Sequence, residues 1–393
     1  MKILAVDIGT GTQDIFLFDS RLSLENGFRL VLPSPTMMIR RRITEMTARR
    51  SSILLTGRQM GGGPAAWAAE AHARSGLSVY ATPDAARTLD DDLDRVASLG
   101  VTLVSEDEAR GLPPGVERIR MGDFDFAAIS DVFARFGETM GDLGALAIAV
   151  FDHGAAPPGE SDRQFRFDYL DRRIRQRNAL SSFAYAPSEV PKEMSRLQAV
   201  AQAAGQVGLP VVVMDTAPAA VLGATFDPIV GRRHSAMIVN IGNFHVLAFR
   251  LAGGAIEGLF EHHTGEITSH KLESYLIALA EGSLRHQDVF DDMGHGALVI
   301  AREPLLPDRD FDVVVTGPRR SMLRLDSNLS NGQATPRGRR LRPYFAVPFG
   351  DMMMSGCFGL LAAMAEVLPE TAPVLQRAMR ASSGPGAAPW DAM

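Results

Sequence analysis

The start of the chain reads as a β-hairpin whose turn is built from glycine and threonine. The apolar strand KILAVDI carries Asp7 near its end, the turn contains Gly9, Thr10, Gly11 and Thr12, and the strand DIFLFD follows. Glycine lets a ligand approach the backbone closely, hydroxyl and N–H groups bind phosphate oxygens, and a nearby carboxylate holds hydrated Mg²⁺. The turn is therefore a candidate phosphate site, although a simple hairpin turn explains the same residues.

Two later glycine turns repeat this arrangement. Asn240, Gly242 and Asn243 follow the apolar run of a second predicted hairpin, and Thr316 and Gly317 end the strand FDVVVTG. Neither the phosphate-loop pattern G-x-x-x-x-G-K-[ST] nor a complete G-x-G-x-x-G occurs in the sequence. The nucleotide-binding folds that those patterns mark therefore lose support.

Length and composition predict a protein of two lobes. The chain has 393 residues, which exceeds a single core of roughly 150 to 200 residues. Its 46% hydrophobic and 22% charged residues are ordinary for a globular protein. We expect an N-terminal lobe at 1–190 with an irregular Arg-rich insertion near 154–190, a C-terminal lobe at 191–380, and a flexible tail at 381–393.

Charge and cysteine content exclude several classes of protein. A net charge of −6 argues against a general nucleic-acid binder, which needs a basic surface to displace counterions. No apolar stretch reaches the roughly 18 residues of a membrane span, and no signal peptide is recognisable. Cys357 is the only cysteine, so the chain alone forms neither a disulfide nor an iron–sulfur site. We expect a cytoplasmic location.

The three turns in this order resemble the actin, hexokinase and heat-shock chaperone superfamily. The resemblance implies an α/β fold of two actin-like (ribonuclease H-like) lobes, with ATP and Mg²⁺ held between them and Asp7 as the metal ligand. Two positions depart from the pattern: Asn240 stands where relatives commonly have aspartate, and Gln13 stands where many sugar kinases have a basic residue. Mg²⁺ would then depend mainly on Asp7, and one cationic phosphate contact is missing.

The segment VVVMDTAPAAVLGA resembles the stretch of hexokinases in which an Asp-Thr pair follows an apolar strand. By that resemblance Asp215 is the base for a substrate hydroxyl, and Thr216 is its neighbour at the cleft. An aspartate at the start of a helix is otherwise an N-cap, which contributes about 1 kcal/mol. Both interpretations of Asp215 remain open on the sequence.

Two further segments are candidate substrate contacts. Gly61, Gly62 and Gly63 precede a predicted helix, whose free N–H groups favour an anion; a flexible loop is the alternative. Asp152 and His153 follow a predicted buried strand at the end where α/β proteins place ligands. A hydrogen-bonded structural histidine explains the second pair nearly as well.

A third candidate is the segment Glu261-His262-His263, which ends a predicted strand of the second lobe. Just beyond it, GEITSH at 265–270 resembles, with one extra residue, the GE-x-x-H stretch by which sugar kinases of one branch contact the sugar, and this favours a substrate contact for the region. Histidine and carboxylate at short spacing also bind Zn²⁺, but Gly265 interrupts any helix that would align them with Glu266 and His270. Ordinary packing is the remaining alternative.

The combination of DIGTGTQD, MGGGP, FDHG, MDTAPAA, NIGN and FEHHTG resembles an actin-like family labelled "pyruvate formate-lyase activating enzyme-like". A radical activating enzyme needs three clustered cysteines, and this chain has one, so we expect no radical iron–sulfur chemistry. The expected function is a Mg-ATP-binding phosphotransferase acting on a small-molecule hydroxyl or carboxylate. The alternatives are an ATP-driven conformational activator of a partner enzyme and a non-catalytic protein with a degenerate nucleotide cleft.

Overall fold

A computed structural model of the chain describes residues 1–157, 159–305, 310–324 and 341–381, and the strands of these residues form three β-sheets. The strands are β1 (Lys2–Ile8), β2 (Thr12–Asp19), β3 (Phe28–Pro33), β4 (Ile53–Gly57), β5 (Val79–Ala81), β6 (Val101–Leu103), β7 (Glu117–Met121), β8 (Leu143–Val150), β9 (Ala184–Tyr185), β10 (Val211–Asp215), β11 (Ser235–Ile241), β12 (His245–Ala252), β13 (Ala255–His263), β14 (Gly296–Val299), β15 (Val313–Thr316) and β16 (Pro343–Phe345). The helices are α1 (Pro35–Ala48), α2 (Pro64–Arg74), α3 (Pro83–Ala86), α4 (Leu93–Ser98), α5 (Glu106–Gly111), α6 (Phe126–Arg135), α7 (Asp162–Gln176), α8 (Ser195–Gly205), α9 (Thr216–Ala224), α10 (Ser269–Ala280), α11 (His286–Phe290), α12 (Ser355–Val367) and α13 (Ala372–Ala381).

The first sheet has six strands in the order β3-β2-β1-β8-β10-β9. The strands β1, β2 and β3 are antiparallel neighbours, whereas β8 runs parallel to β1, and β10 runs parallel to β8. Every residue of β1 is buried, as is usual for a strand in a sheet covered on both faces. The carboxyl ends of β1, β8 and β10 therefore lie at one edge of the sheet.

The second sheet repeats this topology in the order β14-β13-β12-β11-β15-β16. Here β11, β12 and β13 are antiparallel neighbours, β15 runs parallel to β11, and β16 runs parallel to β15. Three consecutive antiparallel strands followed by parallel strands thus occur twice, and this is the arrangement of two actin-like lobes. The predicted fold class is confirmed.

A small third sheet, in the order β6-β5-β4-β7, is inserted between β3 and β8. Its strands are all parallel, and its core is separate from that of the two large sheets. Strands and helices alternate in this part of the sequence, but the alternation does not indicate that the strands form a sheet of their own. The Arg-rich segment near 154–190 contains the 15-residue helix α7.

The strand β10 belongs to the first sheet, although it lies beyond the boundary predicted at 190/191. It pairs with β8 along its whole length, and α12, near the C-terminus, packs on β1, β2 and β8. We therefore propose that the second lobe spans the strands from β11 to β16 and that both flanking segments belong to the first. Of the predicted tail, 382–393 lies outside the described residues.

Two helices cross at close range beneath the first sheet. A methyl group at Gly223 of α9 would overlap the carbonyl oxygen of Ser355, and one at Gly359 of α12 would overlap that of Ala219. Near the start of α12, a methyl group at Gly356 would overlap the carboxylate of Asp7. Glycine at these positions therefore brings α12 against α9 and against the end of β1.

Across the described part of the chain, no individual helix is both long and apolar enough to cross a membrane. Two consecutive helical segments, Ser355–Val367 and Pro369–Arg380, are together long and apolar enough for a membrane span. The chain bends by 114° between them.

Candidate functional site

The three glycine turns lie around one small cleft between the two large sheets. The cleft encloses about 90 Å³. The predicted residues that line it are Asp7, Gly9, Thr10, Thr12, Asn240, Gly242, Asn243, Thr316 and Gly317. The two hairpin turns are in direct contact, because a methyl group at Gly11 would overlap the side-chain amide of Asn243. Segments far apart in the sequence thus meet at one place.

Several backbone N–H groups of these turns are available to an anion. Gly9 and Gly242 donate to the carbonyl groups of Thr12 and His245, both at 2.9 Å, and so close their turns. The N–H groups of Thr10, Gly11 and Asn243 have no acceptor among the described residues.

The third turn directs its donor to a weak acceptor. The N–H of Gly317 lies 3.2 Å from the thioether sulfur of Met352, and a thioether accepts hydrogen bonds poorly. A phosphate or ribose oxygen at this position would be a stronger acceptor.

Two carboxylates face the same cleft. Asp7 of β1 pairs in register with Asp14 of β2, and both line the cavity. The hydroxyl of Thr216 donates a hydrogen bond to Asp7 Oδ1, whereas the buried Oδ1 of Asp14 has no hydrogen-bond partner among the residues that the structure describes. Burial, and then the charge of Asp215, raises the pKa of Asp7 to about 7; burial, and then the charge of Asp7, raises the pKa of Asp14 to about 8. Oxygen ligands of this kind suit Mg²⁺.

Asp215 has a structural position that conflicts with its predicted role as a base. It is 1% exposed and lines neither cavity. Its Oδ1 accepts the N–H of Ala217 at 3.1 Å and caps α9, and its Oδ2 accepts from Nη1 of Arg166. Because both oxygens are engaged, Asp215 is a buried N-cap and ion-pair partner. Its neighbour Thr216 is the residue that reaches the cleft.

A larger cavity of about 530 Å³ adjoins the small cleft. The predicted substrate residues among its lining are Gly61, Gly62, Gly63, Asp152, His153 and His263. Thr10, Phe151, Phe244 and His245 line both cavities. A molecule in the large cavity would therefore lie beside the two hairpin turns of the small cleft.

The glycine segment is held in place by an ion pair. The N–H of Gly61 lies 3.2 Å from both carboxylate oxygens of Asp123. Asp123 in turn accepts two hydrogen bonds from Arg196, at 2.8 and 3.0 Å. The N–H of Gly61 is thus occupied, and the segment borders the cavity with its remaining backbone.

Asp152 orders the loop that carries His153. Its oxygens accept the N–H groups of Gly154 at 2.9 Å and Leu197 at 2.8 Å, and it is 3% exposed. Burial raises the pKa of the Asp152 carboxyl. Its contribution to the cavity is to position the following histidine.

The segment Glu261-His262-His263 does not face the cavity as a unit. Side chains alternate along β13, so His262 lies on the face opposite to Glu261 and His263, and of these three residues only His263 lines the large cavity. Nε2 of His262 lies 2.8 Å from the carbonyl oxygen of Asp292, which explains its burial. Glu261 is buried and lines neither cavity. Neither His262 nor Glu261 lines one of the two cavities, and their substrate role stays a prediction.

Four histidines gather at the inner side of the large cavity: His153 after β8, His245 at the start of β12, His263 at the end of β13, and His295 before β14. The ring of His245 stacks on Phe151 with centroids 4.0 Å apart. Burial lowers the pKa of His153 to about 3, and burial lowers the pKa values of His245 and His295 well below their usual range. The three imidazoles are therefore neutral and carry free lone pairs.

Neither His245 nor His295 belongs to a motif that marks a site in the sequence. Both lie outside the segments that resemble known motifs. Their one local signal is a position beside glycine turns, NIGNFH and DMGHG.

A fully buried arginine joins the two lobes behind the histidines. Arg166 of α7 donates to Asp215 of the first sheet and lies 3.3 Å from Glu261 of the second. It also donates to the carbonyl oxygen of Asp152 at 3.0 Å and lies over the ring of Phe151. Burial, opposed by Arg166, raises the pKa of Glu261 to about 7.

A sequence-family model described as "Putative pyruvate format-lyase activating enzyme (DUF1786)" matches residues 60–322, more than half of the chain. The chain belongs to this family. In this DUF1786 protein the single cysteine, Cys357, is buried in α12 with its Sγ 3.2 Å from the carbonyl oxygen of Asp14. It therefore lies within the helix packing and lines neither cavity.

Solved structures give low-scoring similarities. "Lmo2764 protein, a putative N-acetylmannosamine kinase" from Listeria monocytogenes is 9% identical, with 65% of this chain and 49% of that chain covered and a TM-score of 0.26. The ethanolamine utilization protein EutJ from Carboxydothermus hydrogenoformans is 12% identical, with 92% and 89% covered and a TM-score of 0.31. MreB5 of Spiroplasma citri, bound to ADP, is 11% identical, with 95% and 98% covered and a TM-score of 0.33.

This chain therefore spans about half the length of the Listeria protein. No curated protein sequence gave a significant match.

Proposed function

We propose that this DUF1786 protein binds ATP with Mg²⁺ in the small cleft and transfers a phosphoryl group to a small molecule in the large cavity. One observation carries the proposal: glycine turns from three distant parts of the chain surround one cleft that also contains the carboxylates of Asp7 and Asp14. Each lobe contributes one hairpin turn to the cleft. The second lobe also contributes the turn that follows β15.

Carboxylates in the cleft would hold the metal ion, and backbone N–H groups would position the phosphates. Asp7 and Asp14 would hold Mg²⁺, which supplies charge neutralisation for the phosphates. The N–H groups of Thr10, Gly11 and Asn243 would donate to phosphate oxygens. Phosphoryl transfer depends mainly on positioning and electrostatic stabilisation, and both are available at this cleft.

Nucleotide binding requires the lobes to separate. Ligand cavities usually enclose about 300–1,000 Å³, whereas the cleft encloses about 90 Å³. Opening would also free the N–H of Gly317 from the sulfur of Met352. The proposed cycle therefore begins with an open protein and returns to a closed one around the nucleotide.

The position of Asp215 favours a carboxylate acceptor over a hydroxyl. A hydroxyl must lose its proton during transfer, and the predicted base is capping α9 and pairing with Arg166. A carboxylate is already ionised at neutral pH and needs no base. We propose a small carboxylic acid as the class of substrate.

The need for lobe separation also favours a second function, an ATP-driven conformational activator of a partner enzyme. In that case opening and closing transmit the nucleotide state to the partner surface. Turnover distinguishes the two functions: a phosphotransferase releases ADP in proportion to an added carboxylic acid, whereas an activator hydrolyses ATP slowly without one.

The experiment is thermal unfolding of the full-length protein with Mg-ATP, with Mg-ADP and without nucleotide. A ligand at 100 times its Kd stabilises the folded state by about 2.7 kcal/mol, so the wild type should unfold at a higher temperature. Asp7→Asn should lose this shift, because it removes a metal ligand. Asp131→Asn, on the exposed face of α6, is the matched control and should retain it.

An unchanged melting temperature of the wild type with either nucleotide would overturn the proposal. So would an equal shift in Asp7→Asn and Asp131→Asn. ATP turnover would then be measured against a panel of carboxylic acids, sugars and alcohols to separate the acceptor classes.

A further inference from the structure

The histidines of the large cavity have the spacing of a metal site. The ring centres of His153, His245 and His295 are 5.2, 5.2 and 5.3 Å apart. Three imidazoles bound to one tetrahedral metal at about 2.0 Å have ring centres about 5 Å apart. The three rings therefore already have the separations that a common metal ion would impose.

Their nitrogens lie close to a common point. One nitrogen from each ring lies within 4.8 Å of the other two. Three atoms at that spacing fit inside a circle of radius about 2.8 Å, against a metal–nitrogen bond of about 2.0 Å. Each ring needs to move inward by less than about 1 Å, which side-chain rotation supplies.

Two of the rings each have a buried Nε2 without a partner. Among the described residues, neither Nε2 of His245 nor Nε2 of His295 has a hydrogen-bond partner. A buried polar atom without a partner is costly, so the protein gains if an additional group satisfies these atoms. A cation is suited to this role because each neutral imidazole offers it a lone pair.

An outer partner is in place behind the cluster. Nδ1 of His295 lies 3.3 Å from Oε1 of Glu261, and Arg166 lies 3.3 Å from the other carboxylate oxygen. Histidines that bind metals commonly direct their second nitrogen to a carboxylate, which fixes the ring and raises its basicity. This leaves Nε2 of His295 for the metal.

We propose that His153, His245 and His295 bind a borderline divalent cation, Zn²⁺ in the first instance, with an open coordination position that faces the large cavity. Three imidazoles suit Zn²⁺ better than Mg²⁺, so this site is distinct from the carboxylates of the small cleft. Three protein ligands with one open position are the pattern of a zinc ion that binds a substrate. An oxygen-donor ligand such as a carboxylate would take that position.

The test uses the full-length protein freed of metal by chelator dialysis. Zn²⁺ titrated against a chromophoric chelator should bind at about one equivalent per chain, and Co²⁺ in its place should give the strong visible absorption of a tetrahedral site. His153→Ala should weaken Zn²⁺ binding by more than the roughly 10- to 100-fold that loss of an outer partner costs. His270→Ala, exposed on α10, should bind as the wild type does.

Further variants separate the possible outcomes. Glu261→Gln should weaken Zn²⁺ binding by about 10- to 100-fold, and Asp7→Asn should leave it unchanged, which keeps this test independent of nucleotide binding. His153 lies on a loop, so its variant is expected to fold, and its unfolding transition checks this. Absence of Zn²⁺ binding by the wild type, or equal binding by His153→Ala and His270→Ala, would overturn the proposal.

Discussion

Asp7 and Asp14 place two carboxyl groups side by side in a buried hairpin, and no lysine or arginine of the described part of the chain pairs with either. Their register fixes the pairing, because adjacent antiparallel strands bring directly opposed residues together. Without a bound ion, burial and mutual repulsion favour the protonated forms of both groups. A divalent cation would reverse this preference, since it stabilises the ionised carboxylates.

The raised pKa values of Asp7 and Asp14 predict that these two groups contribute less to the stability of the unliganded protein as the pH rises. Unfolded carboxyls ionise near 3.8, whereas in the folded protein the pKa is about 7 for Asp7 and about 8 for Asp14. Between these values the folded state binds more protons, so the free energy of unfolding falls as pH increases. In urea unfolding from about pH 5 to about pH 8, the stability of the wild type relative to that of Asp14→Asn should fall as the pH rises, because the three buried histidines contribute equally to both proteins. Parallel pH curves for the two proteins would contradict the assignment.

Individual site residues were predictable where a motif or strand periodicity was available. The turn residues Gly9 and Gly242 follow from local sequence. Because successive side chains of a strand point to opposite faces, the sequence of β13 predicts that His262 and His263 cannot both face the cavity. His295 could not be assigned in this way, because its loop reaches the cavity only through the pairing of β13 with β14. Such long-range proximity has no local signal.

Helices α9 and α12 show how one kind of residue determines an element's position. Glycine at the crossing lets the two backbones approach at a distance that no larger residue permits. Nothing in the sequence of either helix indicates that the two cross. Gly223 and Gly359 resemble any other helical glycine until the helices are placed in space.

Gly359→Ala should destabilise the protein because the added methyl group overlaps the carbonyl oxygen of Ala219. Overpacking of this kind costs about 1–3 kcal/mol, and more where backbone must move. Gly205→Ala, in α8, is the control, since a methyl group there meets no other atom within 4 Å. It should be neutral or slightly stabilising. Equal melting temperatures for the two variants in calorimetry would show that the crossing tolerates the methyl group.

At the scale of the whole molecule, Arg166 carries a positive charge between the two lobes. Its partners Asp215 and Glu261 belong to different sheets, so the ion pairs hold the sheets in a defined relation. The duplication of the lobes was predictable from the repeated hairpins. The role of α7 was not, because arginine-rich helices are usually exposed and Arg166 is 0% exposed.

Arg166→Met should reduce the free energy of unfolding by about 3–5 kcal/mol, since it leaves buried carboxylates without their cation. The triple variant Arg166→Met, Asp215→Asn, Glu261→Gln should recover part of the loss, because it carries no uncompensated charge. Urea denaturation of both proteins measures the difference. A triple variant no more stable than Arg166→Met would show that shape, and not charge, is what Arg166 provides.

The side chains of Thr10, Phe151, Phe244 and His245 border the small cleft on one side and the large cavity on the other. A ligand in either cavity would contact the same four side chains. The binding free energy of one ligand would therefore depend on whether the other is bound, and the coupling free energy would be the same in both directions.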